Sequence, residues 1–425
     1  MKKMFTMFCM SMLIVGYALP TMADVKIGGI IFTDAFYEFR DKENSGTIDD
    51  IADFSIKVPN ITRLYGKWSS DDKYVGMLIE FGIDGNGVGK RNVVTRHAYG
   101  WWQVNPILKI TAGQTVTGFS PLNPQQLLGT NGQNLNVVGG GFGDVYAGRV
   151  PQVKFTLTPN ESFQVDVAFS DPDIASAGFA DVIDTDIKGA DGYLADPEGG
   201  ITYTYNPWGS KDSSLPRIDI SAIIKAGPLT LYPGMMYAKK TFALKNDAYD
   251  GADDSITTYI MTMAAKVNFG PVCLTGEFNI GQNWGNQDLV AIGLEHLRGN
   301  SELDKKYYGA ALAIGDDKIE DTEMYGGWVD AGITVGPAQI HAIMGVQNYA
   351  NDMDPDETDD DFKQTVTMFG FSIPVKVAKN FKIRPEIMFY DLGKRENFTK
   401  DDNDKYKDQE RGSYVIAGTQ FQITF

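Results

Sequence analysis

The chain has 425 residues, with 38 lysines and arginines against 55 acidic residues and a formal net charge of −17. So acidic a surface repels phosphate backbones, which argues against a nucleic-acid-binding protein. Of its two cysteines, Cys9 lies in the apolar amino-terminal stretch that is expected to be removed, so Cys273 alone cannot form an internal disulfide, and the absence of CxxC and CxxCH motifs excludes a zinc knuckle and an attached c-type haem. No metal ion or other cofactor is expected.

Residues 1–23 predict a secretory signal peptide. Lys2 and Lys3 form a basic head, an apolar stretch covers about 4–19, and small residues precede a cleavage point after Ala23. The apolar stretch is shorter than the roughly 20 residues that a membrane-spanning helix needs, which disfavours a retained anchor. We expect an exported mature chain of residues 24–425, and the loss of two lysines lowers its net charge from −17 by two to −19.

The mature chain alternates apolar and polar residues almost throughout. In VGMLIEFGI, for example, Val75, Met77, Ile79, Phe81 and Ile83 fall on one face and polar or small residues on the other. A period of two is typical of β-strands with one apolar and one wet face. No stretch after the signal approaches 18 consecutive apolar residues, so no transmembrane helix is predicted.

The connections between these segments alternate between short and long. The short ones lie at 70–73, 105–106, 158–161, 227–228, 270–271, 336–337 and 378–380, and the long ones at roughly 40–60, 84–93, 118–145, 171–216, 244–255, 285–324, 350–362 and 394–411. Short periplasmic turns and long extracellular loops are the asymmetry of transmembrane antiparallel β-barrels. Eight long loops and seven short turns predict sixteen strands, with both termini on the periplasmic side.

The predicted strands are 25–39, 61–69, 73–83, 94–105, 107–117, 146–157, 162–170, 217–226, 229–243, 256–268, 272–283, 325–335, 338–349, 363–377, 381–392 and 412–425. Between 285 and 324, the segments LVAIGLEHL and KKYYGAALAI leave open an additional hairpin and a total of eighteen strands. The sequence thus indicates an all-β fold, with the strand count open between sixteen and eighteen.

The chain closes on RGSYVIAGTQFQITF, in which Val415, Ala417, Phe421, Ile423 and Phe425 share the outward face. This ending resembles the assembly signal of Gram-negative outer-membrane proteins. Together with the signal peptide, the strand count and the loop asymmetry, it makes the whole mature chain resemble the sixteen-stranded general porins. The resemblance implies a non-enzymatic, water-filled channel in the cell outer membrane, through which small hydrophilic solutes and ions diffuse passively.

The resemblance also implies partners and a pore constriction. It implies contact with outer-membrane lipid and lipopolysaccharide, insertion by the barrel assembly machinery with Phe425 as the signal, and a homotrimer. In the family, the third extracellular loop folds into the barrel and narrows the pore, and residues 118–145 occupy that position here. This loop is uncharged until Asp144, which is a candidate constriction residue, and it is rich in Gly and Asn, whereas many family members carry acidic residues in it.

Charged residues on the wet face of the strands are the candidates for lining the pore. A sixteen-stranded barrel leaves an aqueous channel, so inward positions should in general be polar. A charge on the lipid face at mid-depth costs about 2–4 kcal/mol, so charged side chains in the strands should face the lumen. The predicted inward residues are Arg63, Lys67, Glu80, Lys109, Lys154, Asp166, Arg217, Asp219, Lys266, Glu277, Asp330, Arg384 and Glu386. Arg63, Arg217 and Arg384 are candidates for a basic wall, with scattered lumen charges as the alternative.

Two further positions are less certain from alternation. Arg96 is a constriction candidate, but it alternates with His97, so that only one of the two can face the lumen. Arg149 is ambiguous because Pro151 can introduce a bulge. The aromatic residues predicted to lie outward at the membrane interfaces are Tyr37, Trp68, Trp101 and Tyr237.

Two alternative functions remain at this point. A membrane-embedded hydrolase needs a catalytic nucleus, and the plausible one is His341 with Asp330 or Glu277. A sheath around an electron-transfer partner is compatible with a wide lumen, although the chain supplies no redox ligand. The acidic runs at 250–254 and 352–361 are expected to be solvated loops, because neither has the spacing of a dedicated calcium loop.

Overall fold

The computed structural model describes residues 24–42, 50–59, 61–84, 92–126, 141–145, 148–172, 183–184, 208–211, 215–244, 253–287, 289, 311–314, 318–352, 361–400 and 406–425. The predicted signal peptide at 1–23 lies outside these ranges, as do residues 127–140. No helix within the described ranges is long and apolar enough to cross a membrane.

Sixteen strands make up the main sheet. They are β1 Asp24–Arg40, β2 Ile51–Lys57 with Arg63–Ser69, β3 Val75–Asp84, β4 Asn92–Gln103, β5 Leu108–Val116, β6 Arg149–Asn160, β7 Phe163–Ser170, β8 Arg217–Ala226, β9 Leu229–Leu244, β10 Ser255–Phe269, β11 Val272–Gln282, β12 Thr322–Val335, β13 Ala338–Asp352, β14 Asp361–Ser372 with Val375–Ala378, β15 Phe381–Asp391 with Lys394–Lys400, and β16 Tyr406–Glu410 with Ser413–Thr424. A short segment, Trp208–Lys211, also pairs with the end of β9.

The sheet is closed and antiparallel. Each strand pairs with its neighbours in the chain, and β1 pairs with both β2 and β16, from Ile30 opposite Thr424 to Arg40 opposite Tyr414. Short turns join the strands at the end where the chain termini lie. Three of them are two-residue Gly-Pro turns whose glycines have φ between 56° and 61°, the left-handed geometry that a tight hairpin requires at its first position. The predicted sixteen-stranded barrel is therefore confirmed.

Two of the predicted long loops are shorter than expected because strands continue into them. Ile51–Lys57 pairs with β1, and Lys394–Lys400 pairs with Tyr406–Glu410. Lys394–Lys400 has the sequence KRENFTK, so the apolar alternation on which the strand prediction depends is absent there. In Ile51–Lys57, Phe54 and Ile56 do alternate with Asp53 and Ser55, but this short segment follows the polar stretch 41–50 and falls within one predicted long loop.

The alternative of eighteen strands is wrong. β11 pairs directly with β12, with Val272 opposite Ile333, so no extra hairpin enters the ring between them. Leu312–Ile314 and Lys318–Glu320 instead pair with each other, and Ile183–Asp184 joins them in a separate small sheet.

The two faces of the barrel differ as the alternation predicts. Large apolar side chains on the outer face stay exposed in the isolated chain, among them Met77, Trp102, Phe278, Met344, Phe369 and Ile423. A continuous apolar surface around a closed sheet is stable only against hydrocarbon. Tyr37, Trp68 and Tyr237 lie on the outer face, as predicted. Trp101 lies on the inner face instead, since it is opposite the buried inner residue Thr111 and its neighbour Trp102 faces outward.

The carboxy-terminal residue completes the closure of the ring. The Phe425 N–H donates to Gly29 O at 3.1 Å, and the Gly29 N–H donates to Phe425 O at 3.0 Å. A Cβ atom at Gly29 would lie 2.6 Å from the Phe425 ring, so the ring needs the glycine beside it.

Changing Phe425 to Asp should reduce assembly of the barrel severalfold, because it places a charge on the outward face of the closing strand. The measurement is the yield of the compact, heat-modifiable band of unheated protein in detergent, from cell outer membranes and from refolding. Asp254→Ala, in an exposed loop, is the control and should assemble like the wild type. Equal yields from both variants would contradict a role for Phe425 in assembly.

Candidate functional site

The third loop (residues 118–145) turns into the barrel as soon as β5 ends. A Cβ atom at Gly118 would lie 2.2 Å from Ser221 Oγ of β8, and Phe119 is fully buried near Gly234 of β9. Since β8 and β9 lie three and four strands away from β5, the loop leaves the strand end inward across the lumen. The contact with Ser221 leaves no room for a side chain at Gly118.

The loop is next held through the backbone N–H and carbonyl oxygen of Gln125. Its N–H donates to Asp330 Oδ2 of β12 at 2.7 Å, and its carbonyl oxygen accepts a hydrogen bond from Arg384 Nη1 of β15 at 3.4 Å. The other oxygen of Asp330 bonds His341 Nδ1 of β13 at 2.7 Å. Asp330 therefore links the loop to His341, and three strands anchor the loop.

The returning segment, residues 141–145, packs against the same wall. The Tyr349 hydroxyl donates to Gly141 O at 3.0 Å, and the Phe142 ring meets the Tyr390 ring edge-on at 5.0 Å. Gly143 has φ +102°, and a Cβ atom there would lie 2.1 Å from Gly327 O. The backbone of this segment thus lies directly on the backbone of the wall, which only glycine permits.

A pair of buried carboxyl groups ties the two described ends of the loop together. Ser120 Oγ is within 2.9–3.0 Å of both oxygens of Glu277 on β11 and donates to Val145 O at 2.7 Å. Asp144 is fully buried beside Glu277 and accepts from Asn123 Nδ2 at 3.1 Å. Burial, and then the charge of Glu277, raise the pKa of the Asp144 carboxyl well above its usual range. The Asp144 carboxyl therefore keeps its proton to a higher pH than an exposed aspartate does.

The wall that receives the loop is apolar, contrary to the prediction that inward positions should be polar. Its side chains form the inner apolar patch, which comprises Met236, Ala238, Ile260, Met324, Ile343, Tyr349, Val366, Met368, Met388, Tyr390, Tyr414 and Ile416. Phe119, Phe142 and Val145 of the third loop belong to the same buried cluster. The patch can be apolar because the loop covers it and keeps water away.

The opposite wall carries a basic cluster on β2, β3, β4 and β6. Glu80 of β3 accepts from Arg96 Nε of β4 at 2.8 Å and lies 3.6 Å from Arg63 Nε of β2. Arg149 Nε of β6 donates to His97 Nε2 at 3.0 Å, and His97 Nδ1 bonds Thr115 Oγ1 at 3.0 Å. Among the described residues, the cluster thus places two guanidinium groups beside Glu80 and a third, that of Arg149, beside His97.

The prediction that only one of Arg96 and His97 faces the lumen is wrong. Glu80 lies opposite His97, and the next residue, Phe81, lies opposite Thr95, so Arg96 is an extra residue in β4. Such a β-bulge interrupts the alternation and lets two successive side chains point to the same side. Pro151 produces no bulge, since β5 and β6 pair without a shift, yet the Arg149 guanidinium still reaches His97.

The remaining predicted inward residues also lie on the inner face, but they do not form one site. Arg217 is fully buried and bonds Asp219 on its own strand at 3.0 Å. Lys154 donates to Val116 O at 3.2 Å, and Glu386 is buried two residues from Arg384. Arg217, on β8, lies nearly across the ring from Arg63 on β2 and Arg384 on β15, so these three do not come together. The sequence leaves His97 and Arg149 undecided, because alternation cannot reveal the bulge at Arg96 or show that the Arg149 side chain reaches His97 from a regular strand.

Two of the residues considered as the catalytic nucleus of a hydrolase, His341 and Asp330, do lie together, but they form part of the loop anchor. His341 and Asp330 bond each other, while Asp330 is also occupied by Gln125. Ser372, which lies opposite His341 on β14, is fully buried, and its hydroxyl bonds neither partner. In the part of the chain that the structure describes, no group of three or more His, Cys, Asp or Glu side chains is placed to hold a metal ion.

Comparisons with known proteins identify the fold. No protein-family model and no curated protein matches the chain. Among solved structures, the chain is similar to the outer-membrane channel DcaP of Acinetobacter baumannii, with 15% identity, a TM-score of 0.60 and coverage of 96% of this chain and 99% of that one. It is also similar to the anion-selective porin of Comamonas acidovorans, with 13% identity, a TM-score of 0.54 and coverage of 95% and 100%. OmpT of Vibrio cholerae, in its trimer form, matches at 12% identity with a TM-score of 0.52 over 95% and 99%. The fold is that of the sixteen-stranded outer-membrane porins.

Changing Asp144 to Asn should alter how stability depends on pH. The folded protein holds the Asp144 proton more tightly than the unfolded chain, so the wild type loses stability as the pH rises from about 4 towards the raised pKa. Asn keeps the size and an acceptor for Asn123 but does not titrate. The temperature at which the compact band converts to the unfolded one should therefore fall more with rising pH in the wild type than in D144N. Asp254→Asn, at an exposed position, should follow the wild type, and an unchanged pH dependence in D144N would contradict the assignment.

Proposed function

We propose that this protein is an outer-membrane porin, a water-filled channel through which small hydrophilic solutes and ions diffuse passively. The observation that carries the proposal is the closed sixteen-stranded ring with an exposed apolar outer face and charged side chains inside. The outer face fits a lipid bilayer, and a ring of this size is too wide for wall side chains to fill. The structural similarity to channels supports the same function.

We infer that the third loop sets the width of the passage. Its described ends cover the inner apolar patch and are anchored by Asp330, Arg384 and Glu277. The passage then runs between the loop and the opposite wall, along the basic cluster of Arg63, Arg96 and Arg149. In this arrangement the loop that narrows the passage is nearly uncharged, and the fixed charge lies on the barrel wall.

The basic cluster supports a preference for anions. The cluster gathers the guanidinium groups of Arg63, Arg96 and Arg149 around Glu80 and His97, and a narrow passage with low-dielectric walls magnifies the effect of such fixed charge. The protein of Comamonas acidovorans to which the chain is similar is described as anion-selective. The strongly acidic total charge does not oppose this preference, because selectivity depends on charge inside the passage.

The chain is proposed to work as a homotrimer in contact with lipid and lipopolysaccharide, after insertion by the barrel assembly machinery with Phe425 as its signal. The trimer form of OmpT supports the oligomeric state. The alternative of a sheath around an electron-transfer protein is disfavoured, because the third loop occupies the interior that such a partner would need.

Planar-bilayer recordings test the channel and the role of the loop together. Purified protein should give steady conductance steps, and deletion of residues 125–140 should raise the single-channel conductance by about twofold or more, since it removes material from the passage. Deletion of residues 352–361, in the seventh loop, is the matched control and should leave the conductance unchanged. Both variants must first show the compact heat-modifiable band. Silence of the wild type would overturn the channel function, and equal conductance of both deletions would overturn only the constriction.

A double variant tests the preference for anions. Arg63→Gln with Arg149→Gln keeps the pair between Arg96 and Glu80, so the wall should fold normally. The anion-to-cation permeability ratio, from the reversal potential in a salt gradient, should drop by about twofold or more. Lys379→Gln, at an exposed turn of the short end, should leave the ratio unchanged. An unaltered ratio in the double variant would contradict the assignment of selectivity to the cluster.

A further inference from the structure

An aromatic stripe runs down the inner face of β4 beside the basic cluster. His97, Tyr99 and Trp101 occupy alternate positions, and their ring centroids are 6.0 Å and 6.1 Å apart. All three side chains are half-buried, so part of each ring remains accessible from the interior. Trp102, the next residue, lies on the outer face and is 53% exposed in the isolated chain.

Glycines beneath the stripe keep the rings close to the wall. A Cβ atom at Gly76 of β3 would lie 2.1 Å from the Trp101 ring, and one at Gly113 of β5 would lie 2.7 Å from Tyr99 Cα. The Trp101 ring thus lies over Gly76, along the wall, and does not project across the passage. The stripe therefore offers ring surface to a passing solute without blocking its way.

Cationic groups flank the stripe at both ends. The Arg96 guanidinium lies next to His97 at the upper end. At the lower end, Lys67 Nζ lies 5.5 Å from the centre of the Trp101 ring, on an exposed side chain that can move. A solute within the stripe thus meets an aromatic surface and a positive charge at the same time.

We propose that His97, Tyr99 and Trp101, with Lys67 and Arg96, form a binding track for aromatic carboxylates. The solute ring packs against Tyr99 and Trp101, and its carboxylate pairs with the exposed ammonium of Lys67, while the buried Arg96 guanidinium, held by Glu80, contributes positive charge at the upper end. This proposal rests on the proposed channel function and adds a class of preferred solute to it. Aromatic rings attract each other in offset or edge-on contacts, and a carboxylate beside a cation strengthens the contact.

The strength of the track fits a channel. A solute is transported efficiently only if it binds well enough to enter and weakly enough to leave, and neighbouring weak sites satisfy both conditions. The alternating rings from His97 to Trp101 provide such neighbouring sites along the direction of transport. A single deep pocket would hold the solute instead.

Block of the ion current by added solutes measures binding in the track. We expect benzoate to reduce the chloride current through the wild type at about tenfold lower concentration than acetate, which has the charge but no ring, or benzyl alcohol, which has the ring but no charge. Trp101→Ala should raise the half-blocking concentration of benzoate by about three- to tenfold relative to that of acetate, the scale of one stacking contact. Trp101→Phe should restore most of the difference.

Trp102→Ala is the matched control, since it removes the same side chain one residue away on the outer face. Its half-blocking concentrations for benzoate and acetate should equal those of the wild type. Every variant must first show the compact heat-modifiable band. Equal block by benzoate and acetate, wild-type block in Trp101→Ala, or block by glucuronate as strong as by benzoate would each overturn the track. With normal conductance, these results would leave the channel function intact. Absence of any conductance in the wild type would overturn both.

Discussion

Within hydrocarbon, a peptide N–H or C=O without a partner costs several kcal/mol, so a membrane-crossing sheet cannot keep a free edge. Pairing of β1 with β16 removes that edge, and the backbone hydrogen bonds between Gly29 and Phe425 complete the pairing at the short-turn end. The other features follow from closure. The outer face must be apolar, the enclosed space becomes wide, and the long connections are left to determine what that space admits.

The enclosed space is divided between two kinds of wall. One wall, around Met368 and Tyr390, is apolar and covered by the third loop, while the other carries Arg63 and Arg96 and stays wet. The loop is held on the dry side by hydrogen bonds to buried groups, which are strong because no water competes with them. In the proposed channel, width is set from one side of the passage and charge from the other, so each can vary without the other.

How much could be predicted from the sequence depended on whether a residue lies inside the apolar belt. There, hydrocarbon requires one face to be apolar, so alternation gave sixteen strands and the inward position of Lys154 and Glu277. Outside the belt both faces are wet, and Lys394–Lys400 was missed. A single extra residue at Arg96 defeated the period of two, and alternation placed Trp101 on the wrong face. The bond between Gln125 and Asp330 joins positions 205 apart, and no local pattern predicts it.

The inner apolar patch, together with Phe119, Phe142 and Val145 of the third loop, is packed like the core of a soluble protein. Interiors packed to the density of an organic crystal respond to the loss or gain of one methylene group by leaving a void or shifting a neighbour. At the inner apolar patch that neighbour is the third loop, whose Phe142 carbonyl would lie 2.0 Å from a Cβ atom at Gly345. If the third loop sets the width as proposed, that width is coupled to steric fit at buried residues such as Met368.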